Sequence, residues 1–393
     1  MHQRIFLKYK LTNFTMKKNL IIILLFLLTT NSISAQLKLP IVKSSSIHVD
    51  IRDGNNFQKN AWRISPETKQ DVYETSSKGK KVTFYTDKDS ISIIINEKTK
   101  FDFIILLNDT TKALTEIKYK PTYLEILKTA AKYNYDDNRQ VPTFTYQSEK
   151  DTNLMTIRKE LHLDSIAGQG NEVSNILNLL HWIHNLIPHD GNHENPTIKN
   201  ALNLISVCKK DNRGLNCRGL ATVLNECYLS LGIPSRFVTC MPKDSIFQDC
   251  HVINMVYSSE LKKWLWIDPT HDAYVMNEKG ELLSIEEVRD RIINGKTIIL
   301  NPDANWNHKE SDTKESYLYE YMAKNLFRLE CPVESEYDYE TWKKGKTVTY
   351  IELLPLNTYK QSPQKSVSTN SKIGTTFIYY KTNNPNLFWA LPK

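Results

Sequence analysis

Cys217, His251 and Asp268 stand in an order and a setting that suit thiol chemistry. Cys217 lies in Leu215-Asn216-Cys217-Arg218-Gly219, at the first turn of a helical pattern running from Leu215 to Leu231, which Gly232 and Pro234 stop. Backbone N–H groups at a helix start lack partners, and the dipole there favours an anion. A thiol in that place is biased toward thiolate, the form that attacks a carbonyl carbon. Taken alone, such a cysteine is more often a buried structural thiol.

The histidine and the aspartate add the missing partners. His251 to Tyr257 and Lys262 to Asp268 read as an antiparallel hairpin with Ser258 to Leu261 as its loop. Tyr257 then faces Lys262, Met255 faces Trp264, Ile253 faces Trp266, and His251 faces Asp268. Directly opposed residues have Cβ atoms about 4.5–5.5 Å apart, which a His–Asp hydrogen bond requires. The face carrying the pair is apolar below it and suits packing on the Cys217 helix. The other face (Val252, Val256, Leu265, Ile267) is also apolar, so these are buried central strands. A slip of one residue would put His251 and Asp268 on opposite faces.

The order of helix-borne Cys217, Gly232-Ile233-Pro234-Ser235-Arg236 into a strand, Asp249-Cys250-His251-Val252, then Trp264-Leu265-Trp266-Ile267-Asp268-Pro269 resembles the transglutaminase-like superfamily. The resemblance spans roughly residues 165 to 300. It implies an α+β fold, in which a nucleophile helix packs on an antiparallel sheet in the papain-like manner. It also implies Cys217 as nucleophile, His251 as base and then acid, and Asp268 as the residue orienting the imidazole. One departure stands out: many members place Gly two residues before the Cys, whereas here Gly214 is three before and Asn216 intervenes.

A free thiol of pKa ~8.5 is a few per cent ionised at neutral pH, so lowering it below 6 gains only about 30-fold in thiolate. Proton donation by His251 to a leaving amine adds about 10²–10⁴. Amide chemistry needs an oxyanion hole as well. The Cys217 backbone N–H is one candidate donor; for the second, His184 and His189 are the candidates.

Other reactive types have blander readings. Cys227 shares a stripe with Leu220, Val223, Leu224 and Leu231 and belongs to a core. Cys240 and Cys250 flank a nine-residue excursion between adjacent strands, where a disulfide could close the loop. His181, His184, His189 and His193 lack accompanying ligands at metal-site spacing and read as a polar helix face leading into a surface loop. No acidic loop of the EF-hand kind is present, and neither a metal nor another cofactor is expected. Arg236 is either a charge beside the site or the partner of a structural carboxylate.

Around this constellation the chain of 393 residues has room for two or three domains. Residues 36 to about 65 look extended and irregular. Val82 to Tyr85, Ile91 to Ile95 and Phe101 to Leu107 read as strands, giving a β-rich N-terminal domain over 36–120. A helical linker, 121–164, contains an amphipathic helix from Tyr123 to Tyr133. The catalytic domain, 165–335, opens with a helix capped by Asn171 and ended by Pro188. It continues past a polar loop, Asn301 to Ser316, into a helix from Tyr317 to Leu329. A C-terminal β extension, 336–393, has strands near Thr347 to Leu353 and Thr375 to Tyr380, separated by a mobile Lys360 to Lys372.

The N-terminus reads as an export signal, 1–35. Lys17 and Lys18 precede the apolar run Leu20 to Leu28, and Ile33-Ser34-Ala35 is a cleavage site; Met16 would serve as the start. Removing its five basic residues takes the formal charge from +7 to +2, so a nucleic-acid partner has no support. The expected location is periplasmic or secreted, with the membrane involved only during export. The expected activity is acyl transfer through a Cys217 thioester, as a cysteine peptidase or amidase acting on a peptide or protein substrate, cell-wall peptide included. The alternatives are a crosslinking transglutaminase and a non-catalytic cell-surface scaffold.

Overall fold

The structure, a computed structural model, describes residues 38–392 apart from 131, 245–248 and 357–360. The segment expected as an export signal, 1–35, lies outside the described residues. Among the described residues no helix is long and apolar enough to cross a membrane. The chain divides into two compact units, one ending at Lys120 and the other beginning at Pro121.

Among the described residues, eight strands build the first unit: β1 (Ile41–Ser44), β2 (His48–Asp53), β3 (Asn56–Arg63), β4 (Asp71–Thr75), β5 (Lys81–Tyr85), β6 (Ser90–Ile94), β7 (Lys100–Leu107) and β8 (Thr111–Tyr119). They form two four-stranded sheets, ordered β1-β7-β8-β4 and β3-β2-β5-β6. Alternate residues of β2, β5 and β7 (Val49 and Ile51, Val82 and Phe84, Phe103 and Ile105) share one core. Residues 38–65 are thus not irregular, since they hold three strands. β3 is solvent-exposed along almost its whole length, so its polar side chains carry no period-two signal, and its backbone ladder to β2 alone defines it.

In the second unit a seven-stranded sheet is flanked by helices, the α+β arrangement expected. Its strands are β9 (Ser235–Met241), β10 (His251–Ser258), β11 (Lys263–Ile267), β12 (Arg328–Pro332), β13 (Thr347–Leu353), β14 (Lys365–Thr369) and β15 (Thr376–Thr382). They lie in the order β11-β10-β9-β12-β13-β15-β14. The tail set apart in the sequence as 336–393 therefore extends the same sheet. Within it, the stretch expected to be mobile holds a strand over its described part: β14 pairs antiparallel with β15 as an edge strand, its outward Ser and Thr residues masking it.

The helices include α1 (Tyr123–Lys128), α2 (Thr152–Glu160), α3 (Leu163–Ala167), α4 (Glu172–Leu186), α5 (Ala201–Asp211), α6 (Cys217–Ser230) and α7 (Ile285–Asn294). α1 stops five residues before Tyr133, and beyond it the Ala130 carbonyl accepts from the Arg289 guanidinium at 2.5 Å. α7 shows which force dominates a helix here. Its Ser284–Glu287 capping box contributes about 0.5–2 kcal/mol, whereas each of buried Ile285, Val288 and Ile292 contributes about 1.5–3 kcal/mol. Packing wins. The segment expected as a helix from Tyr317 to Leu329 begins earlier and winds wider: a π-helix, Lys314–Met322, followed by one turn of α-helix to Asn325, with Leu329 already in β12.

Both faces of the sheet are covered. Val256, Leu265 and Ile267 pack with the apolar stripes of α4 and α6. Val238, Ile253, Met255, Trp264 and Trp266 pack with α7 and the π-helix. The Glu172 carboxylate in the first turn of α4 holds the β10–β11 turn, accepting from Ser258 Oγ at 2.5 Å and from the Ser259 and Glu260 N–H groups at 3.1 Å.

Candidate active site

The β10–β11 register differs from the one expected by two residues. Met255 faces Trp266, Tyr257 faces Trp264, and the ladder ends at Asn254 opposite Ile267. The turn occupies Ser259 to Lys262, with Lys262 in the left-handed region at φ 53°, which moves the pairing by one residue on each strand. A shift of two preserves the face. His251 and Asp268 therefore stay on one side of the sheet, diagonal rather than opposed, and His251 Nε2 donates to Asp268 Oδ2 at 2.7 Å. Both residues are buried, at 1% and 0% exposure.

That shared side is not the side on which the Cys217 helix packs. α6 rests on the other face, where Ala221, Phe237 and Val252 surround Cys217 and Asn254 Nδ2 donates to the Ala221 carbonyl at 2.9 Å. His251 is the first residue of β10, so its ring reaches the sulfur past the end of the strand. Its opposite flank is covered by Tyr321 from the π-helix, edge to face at 5.2 Å between centroids.

The helix start is built for an anion. Asn216 is the N-cap, its Oδ1 accepting from the Gly219 N–H at 3.2 Å. Asn195 grips this cap twice, accepting from the Asn216 N–H at 3.1 Å and donating to Asn216 Oδ1 at 2.7 Å. The departure in the sequence thus has a local meaning, because Asn216 does the capping. Gly214 answers a different need. A Cβ there would lie 2.3 Å from the Pro188 carbonyl oxygen and 2.9 Å from Asp190 Cβ, so only glycine lets the 188–190 loop approach.

Burial alone would push the Cys217 thiol up. Hydrogen bonds with His189 and His251, and the charge on His251, overcome it and bring the thiol down to about 6. Burial likewise works against the His251 cation, but the Asp268 carboxylate, by charge and by hydrogen bond, and then the Cys217 sulfur raise the imidazole to about 10. Asp268 is held well below the usual carboxylate range: burial opposes this, and His251, the nearby His271 and the Tyr317 hydroxyl outweigh it. The three groups fit a thiolate–imidazolium pair backed by a carboxylate.

Asp268 has more partners than the sequence suggested. Oδ2 also accepts from the Tyr317 hydroxyl at 2.6 Å, and Oδ1 accepts from the Thr270 N–H at 2.9 Å. The loop after Asp268 is clamped by α4: His184 meets the Pro269 carbonyl at 3.1 Å and Asn305 Oδ1 at 3.0 Å, and His181 meets Asp272 at 2.6 Å. The four histidines are therefore not one polar face. His181 and His184 hold this loop, His193 pairs with Asp190 at 2.6 Å, and His189 stands at the sulfur. Tyr317, Tyr321 and His271 were invisible as site residues, since no spacing rule links them to Asp268; the polar stretch 301–316 likewise hides a hairpin pairing Asn305–Trp306 with Glu310–Ser311.

Two other expectations change. All six cysteines, Cys240 and Cys250 included, are free thiols, so the loop between them is not closed by a bridge. Arg236 is fully buried with neither role foreseen for it: its guanidinium lies 3.6 Å from the Phe144 ring centre and 4.9 Å from that of Trp264, and donates to the Phe388 carbonyl at 3.4 Å. Aromatic faces replace a carboxylate as its partner.

Among the described residues, His251, Asp268 and His271 form the group able to hold a metal ion, their ligand atoms lying within 4.8 Å of one another. Hydrogen bonds already account for much of that group, His251 to Asp268 and His271 Nδ1 to Asp312 at 2.8 Å.

Residues 159–269 match the family model of the transglutaminase-like superfamily, so the second unit carries a transglutaminase-like core. No curated protein matches the chain significantly. Among solved structures, similarity reaches a candidate cysteine protease from Cytophaga hutchinsonii (17% identity, 38% of this chain and 54% of that one, TM-score 0.24). It also reaches a TGase (18%, 43% and 44%, TM-score 0.24) and red sea bream transglutaminase (13%, 59% and 49%, TM-score 0.23). The chain thus spans about half the length of these proteins.

Proposed function

We propose that the protein is a thiol-dependent acyl-transfer enzyme, a cysteine peptidase or amidase in which Cys217 attacks a peptide amide. The observation that carries this is the placement of one imidazole, His251, between the Cys217 sulfur and the buried Asp268 carboxylate. The Cys217 sulfur forms a C–S bond to the carbonyl carbon, and the π electrons move to oxygen. Collapse breaks the C–N bond, and His251 gives the departing nitrogen its proton. Water, deprotonated by the now neutral His251, then attacks the thioester and releases the acid. Asp268 keeps the ring oriented and stabilises the cation. In the proposed setting the enzyme works outside the cytoplasm, after loss of the segment ending near Ala35, on peptide or protein substrates.

An acyl-enzyme trap tests it. p-Nitrophenyl acetate should release a burst of nitrophenol equal to the enzyme concentration and add one acetyl group to Cys217 by mass spectrometry. Cys217→Ala and His251→Ala should abolish the burst. Acetylation spread over surface lysines, unchanged in Cys217→Ala, would sink the proposal. A labelled primary amine in the same mixture sorts water from amine as acceptor; incorporation into a glutamine peptide would turn the reading from hydrolase to transglutaminase.

A further inference from the structure

Two imidazoles, His251 and His189, act on the Cys217 thiol to bring it down, and the triad uses only one of them. The other, His189, is fixed at three places. Its backbone N–H donates to Asn307 Oδ1 at 2.7 Å, and its carbonyl accepts from Asn307 Nδ2 at 2.9 Å. It bridges Leu215, two residues before the nucleophile, where the Asp190 N–H donates to the Leu215 carbonyl at 2.7 Å. Its ring is tied too: Nδ1 accepts from the indole N–H of Trp306 at 3.2 Å.

The indole contact decides the tautomer. An indole nitrogen only donates, so Nδ1 must present its lone pair, and the ring proton sits on Nε2. With Nδ1 engaged by Trp306, Nε2–H is the group left to meet the sulfur. His184, the other candidate from the sequence, has both ring nitrogens occupied by Pro269 and Asn305.

We propose that His189 Nε2–H is the second donor of the oxyanion hole, beside the Cys217 backbone N–H, with Trp306 as the positioning residue that keeps the proton on that nitrogen. This rests on Cys217 being the nucleophile. In the resting site the Nε2–H faces the sulfur. As the C–S bond forms and charge moves to the carbonyl oxygen, that oxygen becomes the stronger acceptor and takes the hydrogen bond. The proton stays on His189 throughout. When the carbonyl re-forms and the C–N bond breaks, the leaving nitrogen is protonated by His251, so His189 begins and ends the cycle unchanged. The Cys217 N–H suits the partner role because the first N–H of a helix has no intrahelical acceptor.

The full chain, purified as wild type, His189→Ala, His189→Gln, Trp306→Phe and Cys217→Ala, provides the test. Two rates are compared: the p-nitrophenyl acetate burst, which passes through an oxyanion, and iodoacetamide alkylation of Cys217 at a pH where the thiol is fully ionised, which does not. His189→Ala should slow the burst about 10²–10³-fold, the size of loss usual for one oxyanion donor, while alkylation stays within about threefold. His189→Gln, which offers an amide N–H, should recover at least about tenfold of that loss, and Trp306→Phe should fall between wild type and His189→Ala. A burst retained within about threefold in His189→Ala would overturn the proposal, as would an equal loss in both rates or no recovery in His189→Gln. Failure of the underlying reading looks different: Cys217→Ala would then keep the burst.

Discussion

Tyr317 donates its hydroxyl to Asp268 Oδ2 at 2.6 Å, on the same oxygen that receives His251 Nε2–H at 2.7 Å. The Trp266 indole donates in turn to the Tyr317 oxygen at 3.2 Å. Charge at the sulfur is thus supported through a relay that ends in the core at Trp266, and Tyr317 within it comes from a π-helix. Wide helical turns recur at functional sites because they re-aim side chains that a regular α-helix would place elsewhere. Tyr317 and Tyr321 both profit: one reaches Asp268, the other covers His251.

Tyr317→Phe keeps the ring and removes one donor from a fully buried carboxylate. The expected loss is about 1–3 kcal/mol of stability, read as a lower urea midpoint with unchanged slope. A midpoint equal to wild type would mean that Asp268 does not depend on this hydroxyl.

Asp268→Asn keeps the shape and removes the charge that raises His251. A group with a raised folded pKa gives its stabilisation below its unfolded pKa and loses it as pH rises through the folded value, about 10 here. Without the carboxylate the alkaline limb of the rate profile should move down toward the ordinary imidazole range, and kcat should fall about 10²–10⁴-fold. An alkaline limb that stays near pH 10 would detach Asp268 from His251.

Gly214→Ala forces a Cβ against the Pro188 carbonyl, 2.3 Å away, with no flexible side-chain end to yield. The cost should be about 1–3 kcal/mol, seen as a lower Tm. Because the same loop carries His189, the acylation burst should also drop. Wild-type Tm together with a wild-type burst would contradict the close approach.

Arg236→Lys keeps the charge but removes the planar group stacked on Phe144 and near Trp264. A loss of about 1–3 kcal/mol is expected from this buried, aromatic-faced site. The pH dependence of Cys217 alkylation should not move, since Arg236 is not among the groups that set the thiol. A shifted profile would give Arg236 a part in the chemistry.

The helix start at Cys217, its stop at Gly232 and the shared face of His251 and Asp268 were all legible, because capping residues and period-two patterns are local. The strand register was off by two, since turn geometry depends on Lys262 adopting a left-handed conformation, which its residue type does not announce. Placing α6 on the wrong face of β10 followed from the same cause as the buried strands themselves: both faces are apolar, so pattern cannot tell them apart. Tyr317 lies 49 positions from Asp268, and Trp306 and Asn307 lie 117 and 118 positions from His189. Tertiary packing brings them in, and composition leaves no trace of it. β3 and β14 were lost for one shared reason: exposed edge strands show polar residues on the face that would reveal them.

The most direct measurement is the rate of Cys217 alkylation by iodoacetamide from pH 4 to pH 10, followed by mass spectrometry of the Cys217 peptide in wild type and in His251→Ala. A group with a depressed folded pKa is ionised above that value, so the wild-type rate should rise through about pH 6 and then level off. In His251→Ala the rise should move up toward the ordinary thiol range. A wild-type rate that climbs only near pH 8.5, unchanged by loss of His251, would contradict a thiolate held by that imidazole.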